Sequence, residues 1–147
     1  MKHQRRHARG LVLQALYEID SVGHPADEVV SRYLDKHEVL RGDTGEFFRA
    51  LVLNTLKSKS ILDGLIARCA PDWPVDELAI IDRTILRIAL WEIAESANTP
   101  LKVAINEAVE LAKRFGSDSA PRFVNGVLGA VVSFQDEIRR ELSLAGQ

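Results

Sequence analysis

The chain has 147 residues, of which 46% are hydrophobic and 27% charged, and its net charge is −2. This length suits one domain of ordinary size with a substantial core. The charge balance excludes a polycation, so any nucleic-acid binding must come from locally concentrated charge. The single cysteine, Cys69, cannot form an internal disulfide or a four-ligand metal site and fits a reducing compartment. We expect no cofactor and no metal.

Signals for export or membrane insertion are absent from the sequence pattern. The basic start, residues 1–9, lacks the apolar stretch and small-residue cleavage site of a signal peptide. No apolar run approaches the roughly 20 residues that span a bilayer. We therefore expect a cytoplasmic protein that does not contact a membrane.

Helical periodicity runs through almost the whole chain and strand signals are nearly absent, which predicts an all-α fold. Glycine, proline and capping residues divide the pattern into about seven helices. One of them opens at Asp43 and is expected to bury Phe47. The others are expected at about residues 4–21, 26–39, 61–70, 78–94, 100–115 and from 119 onward.

The clearest break in the pattern is the segment 71–74, Pro-Asp-Trp-Pro. It is too short, and too apolar at Trp73, to be a flexible tether. We therefore expect two packed helical subdomains, at about 1–72 and 73–142, within a single domain that covers 1–147.

The helix at 78–94 is apolar nearly all round, which is typical of the buried centre of a bundle. Asp82, Arg83 and Arg87 interrupt it, and we expect them to mark its one exposed stripe. Such a stripe fits either ordinary solvent exposure or a surface for docking another protein.

The first candidate binding segment is the basic arm, which we define as residues 2–9. Arg5 and Arg9 share a helical face, and unpaired like charges at that spacing repel each other and favour a polyanionic partner. The first acidic residue of the chain is Glu18. Composition alone leaves a solvated, disordered basic terminus equally open. The cations of the arm are Lys2, Arg5, Arg6 and Arg9.

The second candidate is the segment 113–123, in which cations and aromatics flank a Gly/Ser connection. The helix start at Ser119 offers backbone N–H groups that favour phosphate, and an aromatic ring there could stack on a base. Local pattern alone favours a packing role for both phenylalanines and a helix-terminal role for the first two cations. The residues concerned are Lys113, Arg114, Phe115, Arg122 and Phe123.

No catalytic constellation is evident. Glu107 and Glu110 lie at i and i+3 on one helix, but no nucleophile or ligand set accompanies them. The four histidines all lie in the first 37 residues and lack metal-ligand spacing. We expect a protein that is not an enzyme, and the alternative is a hydrolase that uses these two glutamates.

Several strings of residues resemble the NusB family of bacterial transcription antitermination factors. The resemblance runs from the arm to about Leu128 and is weakest between about residues 20 and 43. The strings are RHAR at 6–9, ALY at 15–17, ILRIALWE at 85–92, VAINEAVELAK at 103–113, FG at 115–116 and RFVNGVL at 122–128.

The resemblance implies two packed helical subdomains and a role in transcription regulation at terminators. Such proteins bind the boxA element of nascent RNA, notably ribosomal RNA leaders, together with NusE, a ribosomal small-subunit protein. The assembly joins the RNA polymerase antitermination complex and helps the polymerase resist termination.

The resemblance also implies roles for particular residues. The arm cations match the family's Arg-rich RNA-binding segment, and the segment 113–123 matches its second RNA-contact region. Asp82, with Arg83 beside it, matches the face used for NusE, and Tyr17 lies near that face. Taken together, these matches describe the arm as one half of a split RNA site that a protein partner completes.

Some features depart from the family or leave alternatives open. His7 stands where the family often has a third consecutive basic residue, and the loop 117–120 has one acidic residue where some members have two. The rival interpretations are a protein-only interaction module and a stand-alone relative of the RNA-binding domain of ribosomal RNA cytosine methyltransferases. The chain ends after the helical domain, which favours the free-standing factor. Monomer and homodimer both remain open.

Overall fold

The computed structural model describes residues 2–95 and 100–145 of the chain. Over these residues the fold comprises eight α-helices and three short 3-10 helices, with no β-strand. The all-α prediction is therefore confirmed. None of the helices in this part of the chain is long and apolar enough to cross a bilayer. The helix cap expected at Thr99 lies outside the described residues.

The first compact unit covers residues 1–57. It contains three α-helices and a 3-10 helix at Glu38–Leu40. Gly23 and Gly42 have positive φ angles of 81° and 63°, and they lie where one helix has ended and where another is about to begin. The three α-helices are α1, Lys2–Val22; α2, Ala26–Lys36; and α3, Asp43–Lys57.

The core of this unit forms chiefly where α1 packs against α3. Val12 of α1 and Phe48 and Val52 of α3 are completely buried. Tyr33 of α2 stacks on the Phe48 ring with centroids 5.7 Å apart. Each fully buried side chain of this size contributes roughly 1.5–3 kcal/mol through removal of apolar surface from water.

The second compact unit covers residues 58–147. The long final helix expected from residue 119 onward is divided, because the chain tightens into 3-10 turns after Gly129. The helices of this unit are α4, Lys59–Cys69; a 3-10 helix, Val75–Glu77; α5, Ile80–Glu95; α6, Leu101–Phe115; α7, Ala120–Gly129; a 3-10 helix, Ala130–Phe134; and α8, Gln135–Ala145.

The second unit is built around α5. This helix contacts α4, α6, α7 and α8, and every residue from 84 to 90 is buried. A helix surrounded in this way needs apolar side chains on all its faces, as the sequence pattern indicated. The prediction that this helix forms the buried centre is confirmed.

The division between the units falls after Lys57, whereas the sequence pattern placed it after residue 72. The Pro-rich break separates α4 from α5, but α4 nevertheless packs on α5, α7 and α8. Packing between helices decides which unit a helix joins, and a proline break in the connecting loop does not.

Arg87 does not belong to an exposed stripe, so that expectation was wrong. Its side chain is buried, with 4% of the residue exposed. Nε and Nη2 donate to the two carboxylate oxygens of Asp63 at 2.7 and 2.9 Å. This bidentate pair joins α5 to α4 and offsets the cost of burying a guanidinium. Asp82 and Arg83, one turn earlier, are half-buried.

Replacing Asp63 with alanine should remove two charge-assisted hydrogen bonds from the buried Arg87 guanidinium. Removing one partner of a fully buried pair costs about 3–5 kcal/mol, and Asp63 is partly exposed, so we expect a loss of about 2–3 kcal/mol in the free energy of unfolding. Urea denaturation followed by circular dichroism measures it. Asp76→Ala, at an exposed site in the same unit, is the matched control and should change stability by less than about 0.5 kcal/mol. Equal effects of the two variants would contradict the role given to Asp63.

Candidate nucleic-acid interface

The basic arm forms the first turns of α1 and is not an irregular tail. Residues 3–7 are exposed, and the first turn of the helix carries no acidic side chain. The N-terminal end of a helix already bears a partial positive charge, so cations there are unfavourable within the chain and favour a bound anion. Lys2 is the first residue of α1, and its side chain lies outside what the structure describes.

Two arginines of the arm share one aromatic partner in the same unit. The guanidinium carbons of Arg5 and Arg9 lie 4.8 and 5.2 Å from the centroid of the Phe47 ring on α3. Arg9 is buried, with 6% exposed, and makes a further interaction. These two side chains are therefore not the unpaired cations that their spacing suggested.

Phe47 itself is half-buried, which corrects the expectation that α3 buries it in the apolar core. Phe47 and Phe48 are adjacent and point in directions about 100° apart on the helix, so only one can face the core. Phe48 takes that position, and Phe47 is left as a surface on which guanidinium groups stack. The two adjacent phenylalanines in the sequence indicate that one ring faces the core and the other faces outward, but they do not indicate which is which.

The second candidate segment lies where α6 ends and α7 begins. Lys113 and Arg114 are exposed, and Phe115 is half-buried. The Arg114 guanidinium lies 4.9 Å from the centroid of the Phe115 ring. Lys113 Nζ donates to Glu110 at 3.2 Å. The segment thus presents cations that are held by local contacts and an aromatic ring that is only partly covered.

The connection between α6 and α7 depends on Gly116. A Cβ atom at this position would lie 2.6 Å from the Cβ of Ala120 and 3.0 Å from the carbonyl oxygen of Ala112. Both distances are shorter than van der Waals contact, so any larger residue would force the two helix ends apart. Ser119 occupies the expected cap position of α7 without a side-chain capping bond.

Asp82 lies beside this connection, because its Oδ1 would be 3.5 Å from a Cβ built on Gly116. Burial raises the pKa of the Asp82 carboxyl above its ordinary value. On the neighbouring residue, Arg83, Nη1 makes a long contact of 3.5 Å to the Val75 carbonyl, and Nε is buried with no acceptor among the described residues. Tyr17 is exposed on α1, in the first unit.

At the C-terminal end of the second segment, Arg122 is exposed and Phe123 is half-buried. The Phe123 ring meets the indole of Trp73 edge to face, with centroids 5.9 Å apart and an interplanar angle of 79°. Trp73 is 58% exposed. From the sequence pattern, Trp73 is only part of a break between helices. A tryptophan in a turn between two prolines is the feature that could have indicated an exposed aromatic ring here.

The acidic pair considered for catalysis does not form a site. Glu107 is buried and makes a polar or charged interaction, whereas Glu110 pairs with Lys113 near the surface. Among the side chains that the structure describes, no group of three or more His, Cys, Asp or Glu residues is placed to hold a metal ion. Burial raises the pKa of the Cys69 thiol to about 11, so it is protonated near neutral pH.

Comparisons with known proteins agree on one family. Residues 6–133 match the model of the NusB family. A protein of Roseiflexus sp. (strain RS-1), named transcription antitermination protein NusB, is 49% identical over 142 residues, which is 95% of this chain and 99% of that protein.

Solved structures show the same fold. T. maritima NusB has 30% sequence identity and a TM-score of 0.77, and the match covers 93% of this chain and 91% of that one. A crystal structure of antitermination factors NusB and NusE in complex with double-stranded RNA is similar in fold, with a TM-score of 0.78 at 24% identity, over 90% of this chain and 98% of that one.

Gly116→Ala should destabilise the protein by about 1–3 kcal/mol, because the added methyl group has no room between α6 and α7. Gly64→Ala is the matched control. Gly64 lies inside α4 with open space around the position of a Cβ, so alanine there should stabilise the protein by about 0.5–1 kcal/mol through helix propensity. Thermal unfolding of both variants measures the difference. A Gly116→Ala variant as stable as the parent chain would show that the helix ends are not tightly packed.

Proposed function

The chain belongs to the NusB family, and on that premise we propose that it is a transcription antitermination factor. It binds boxA RNA of nascent transcripts, notably ribosomal RNA leaders, together with NusE, and helps RNA polymerase resist termination. The observation that carries this function is the 49% identity to a NusB protein over 95% of the chain. The protein acts by binding and not by catalysis, and it works in the cytoplasm, where nascent transcripts are made.

The basic arm supports RNA binding through charge at a helix end. Arg5 and Arg6 are exposed there, and phosphates bound to them would also meet the positive end of the α1 dipole. Arg9 is buried against Phe47, so its contribution is to set the position of the arm while Arg5 and Arg6 reach the phosphates. Lys2 is proposed as a further phosphate contact on the basis of sequence.

The second segment supports RNA binding through a different chemistry. Half-buried Phe115 and Phe123 combine an anchored ring with an open surface, which suits stacking on unpaired bases. The exposed cations Lys113, Arg114 and Arg122 supply the phosphate contacts beside them.

For NusE binding we propose Asp82 and Arg83 in the second unit and, taken separately, Tyr17 in the first unit. The physical argument is clearest for Asp82. Its carboxyl is half-buried, and its raised pKa reflects the free-energy cost of an ionised group at this position. A cation from a protein partner would offset that cost on binding. Arg83 is half-buried next to it, and Tyr17 offers an exposed ring, a residue type enriched at interfaces.

Neutralising the arm should weaken RNA binding in a salt-dependent way. We expect Arg5→Ala plus Arg6→Ala to lower the affinity for single-stranded boxA RNA in the presence of NusE. Each lost phosphate contact should reduce the slope of log affinity against log salt by roughly 0.7. Titrations at several salt concentrations measure both quantities.

Two further variants sharpen this test. Arg49→Ala plus Lys57→Ala removes the same charge from exposed positions of α3 and should leave the slope unchanged. Phe47→Leu keeps every charge but removes the ring beneath Arg5 and Arg9, so it should lower affinity with little change in slope. If the arm variant binds like the parent chain while the parent binds boxA RNA, the arm is not part of the RNA site. If the parent chain binds no boxA RNA with NusE, the proposed function is wrong.

The NusE contact should depend on Asp82. Asp82→Asn is expected to weaken the complex with NusE by roughly 10- to 100-fold, the range for a charge-assisted hydrogen bond, as measured by calorimetry at neutral pH. Since burial disfavours the ionised form in the folded chain, this variant should be no less stable than the parent. As pH falls through the raised pKa of Asp82, the parent should lose NusE affinity that the variant never had. Asp76→Asn is the control, and parallel pH profiles for parent and Asp82→Asn would refute the assignment.

A further inference from the structure

A cleft of about 290 Å³ opens beside Trp73 in the second unit. Its walls are the end of α4, the connection that follows α4, and one face of α7. The volume is near the lower end of the range of about 300–1,000 Å³ for small-ligand pockets, which suits a single ring system. The residues that give this Trp73 cleft its chemistry are Cys69, Asp72, Trp73, Arg122, Phe123 and Val127.

The indole of Trp73 is held in place although it is largely exposed. Its backbone N–H donates to the carbonyl oxygen of Ala70 at 3.0 Å, and prolines lie on both sides of the segment, at 71 and 74. The edge-to-face contact with Phe123 fixes the orientation of the ring. A rigid tryptophan with an open face is a stacking surface for a planar aromatic ligand, and little side-chain entropy is lost when such a ligand binds.

The polar groups of the cleft favour a base over a phosphate. Asp72 is one of the lining residues, and its carboxylate would repel a phosphate near the cleft and could accept a hydrogen bond from a base. The Cys69 thiol, with its pKa raised to about 11 by burial, adds no charge near neutral pH. Arg122 is exposed at the cleft and can hold the phosphate that follows a stacked base.

We propose that the Trp73 cleft binds one unpaired base of the RNA, stacked on the indole of Trp73. This inference rests on the proposed function and extends it, because Arg122 and Phe123 belong both to the cleft and to the second proposed RNA-binding segment. The proposed RNA-binding surface thereby extends from that segment to the connection between α4 and α5. Trp73 and Asp72 become RNA-contact residues, whereas the sequence pattern gave them only the role of a helix break.

The test is a titration of the full chain with NusE and single-stranded boxA RNA. Loss of one stacked base should lower affinity, so Trp73→Leu should bind about 5- to 100-fold more weakly. Its salt dependence should match that of the parent, because no phosphate contact is lost. Trp73→Phe keeps an aromatic face and should restore most of the affinity. RNA binding should quench the tryptophan fluorescence of the parent, and Trp73→Phe, which retains Trp91, should lose that quenching.

Abasic substitution along the RNA gives an independent measurement. At one nucleotide, removing the base should weaken binding to the parent chain but should weaken binding to Trp73→Leu no further. Val132→Ala, at another exposed apolar side chain of the second unit, should leave RNA binding unchanged. Circular dichroism and thermal unfolding establish that each variant is folded.

The test distinguishes a failure of the proposed base site from a failure of the proposed function. If the parent binds boxA RNA but Trp73→Leu binds equally well, or if no abasic position is coupled to Trp73, the cleft is not a base site and the proposed function stands. If the parent binds no boxA RNA with NusE, the proposed function and this site are both overturned.

Discussion

Burial of α5 is the constraint on which the second unit depends. Because this helix contacts α4, α6, α7 and α8, the buried guanidinium of Arg87 needs a partner inside the unit, and Asp63 forms a bidentate pair with it. That pair connects α4 to the centre of the unit. The α6–α7 connection then lies beside the start of α5, next to Asp82, which places a half-buried carboxyl at the same connection that carries the proposed RNA contacts.

In the first unit, the cations of the basic arm lie at the positive end of the α1 dipole. No acidic side chain in the first turn of α1 offsets their charge. Arg5 and Arg9 instead stack over Phe47, and cation–π contact stabilises a guanidinium without neutralising its charge. Arg5 is exposed as well as stacked, so the arm presents a folded cationic surface, which would lower the entropic cost of the RNA binding proposed for it.

The same combination of a cation and a partly covered ring recurs in the second unit. Arg114 lies over Phe115, and Arg122 stands next to Phe123, which in turn fixes Trp73. Single-stranded RNA offers both phosphates and unpaired bases, and these pairs of side chains match both kinds of group. A protein of net charge −2 thus presents local surfaces suited to RNA without being basic as a whole.

Most of the helices were predictable from the sequence alone, because apolar periodicity and turn residues are local properties. The central helix at Ile80–Glu95 and the start of α7 after Ser119 illustrate this. Packing between helices determines that Phe48 and not Phe47 faces the core, that Arg87 is buried with Asp63, and that α4 joins the second unit across the break at 71–74. Each of these depends on residues distant in sequence, and a periodic pattern specifies which face of a helix is apolar but not which side chain lies opposite it.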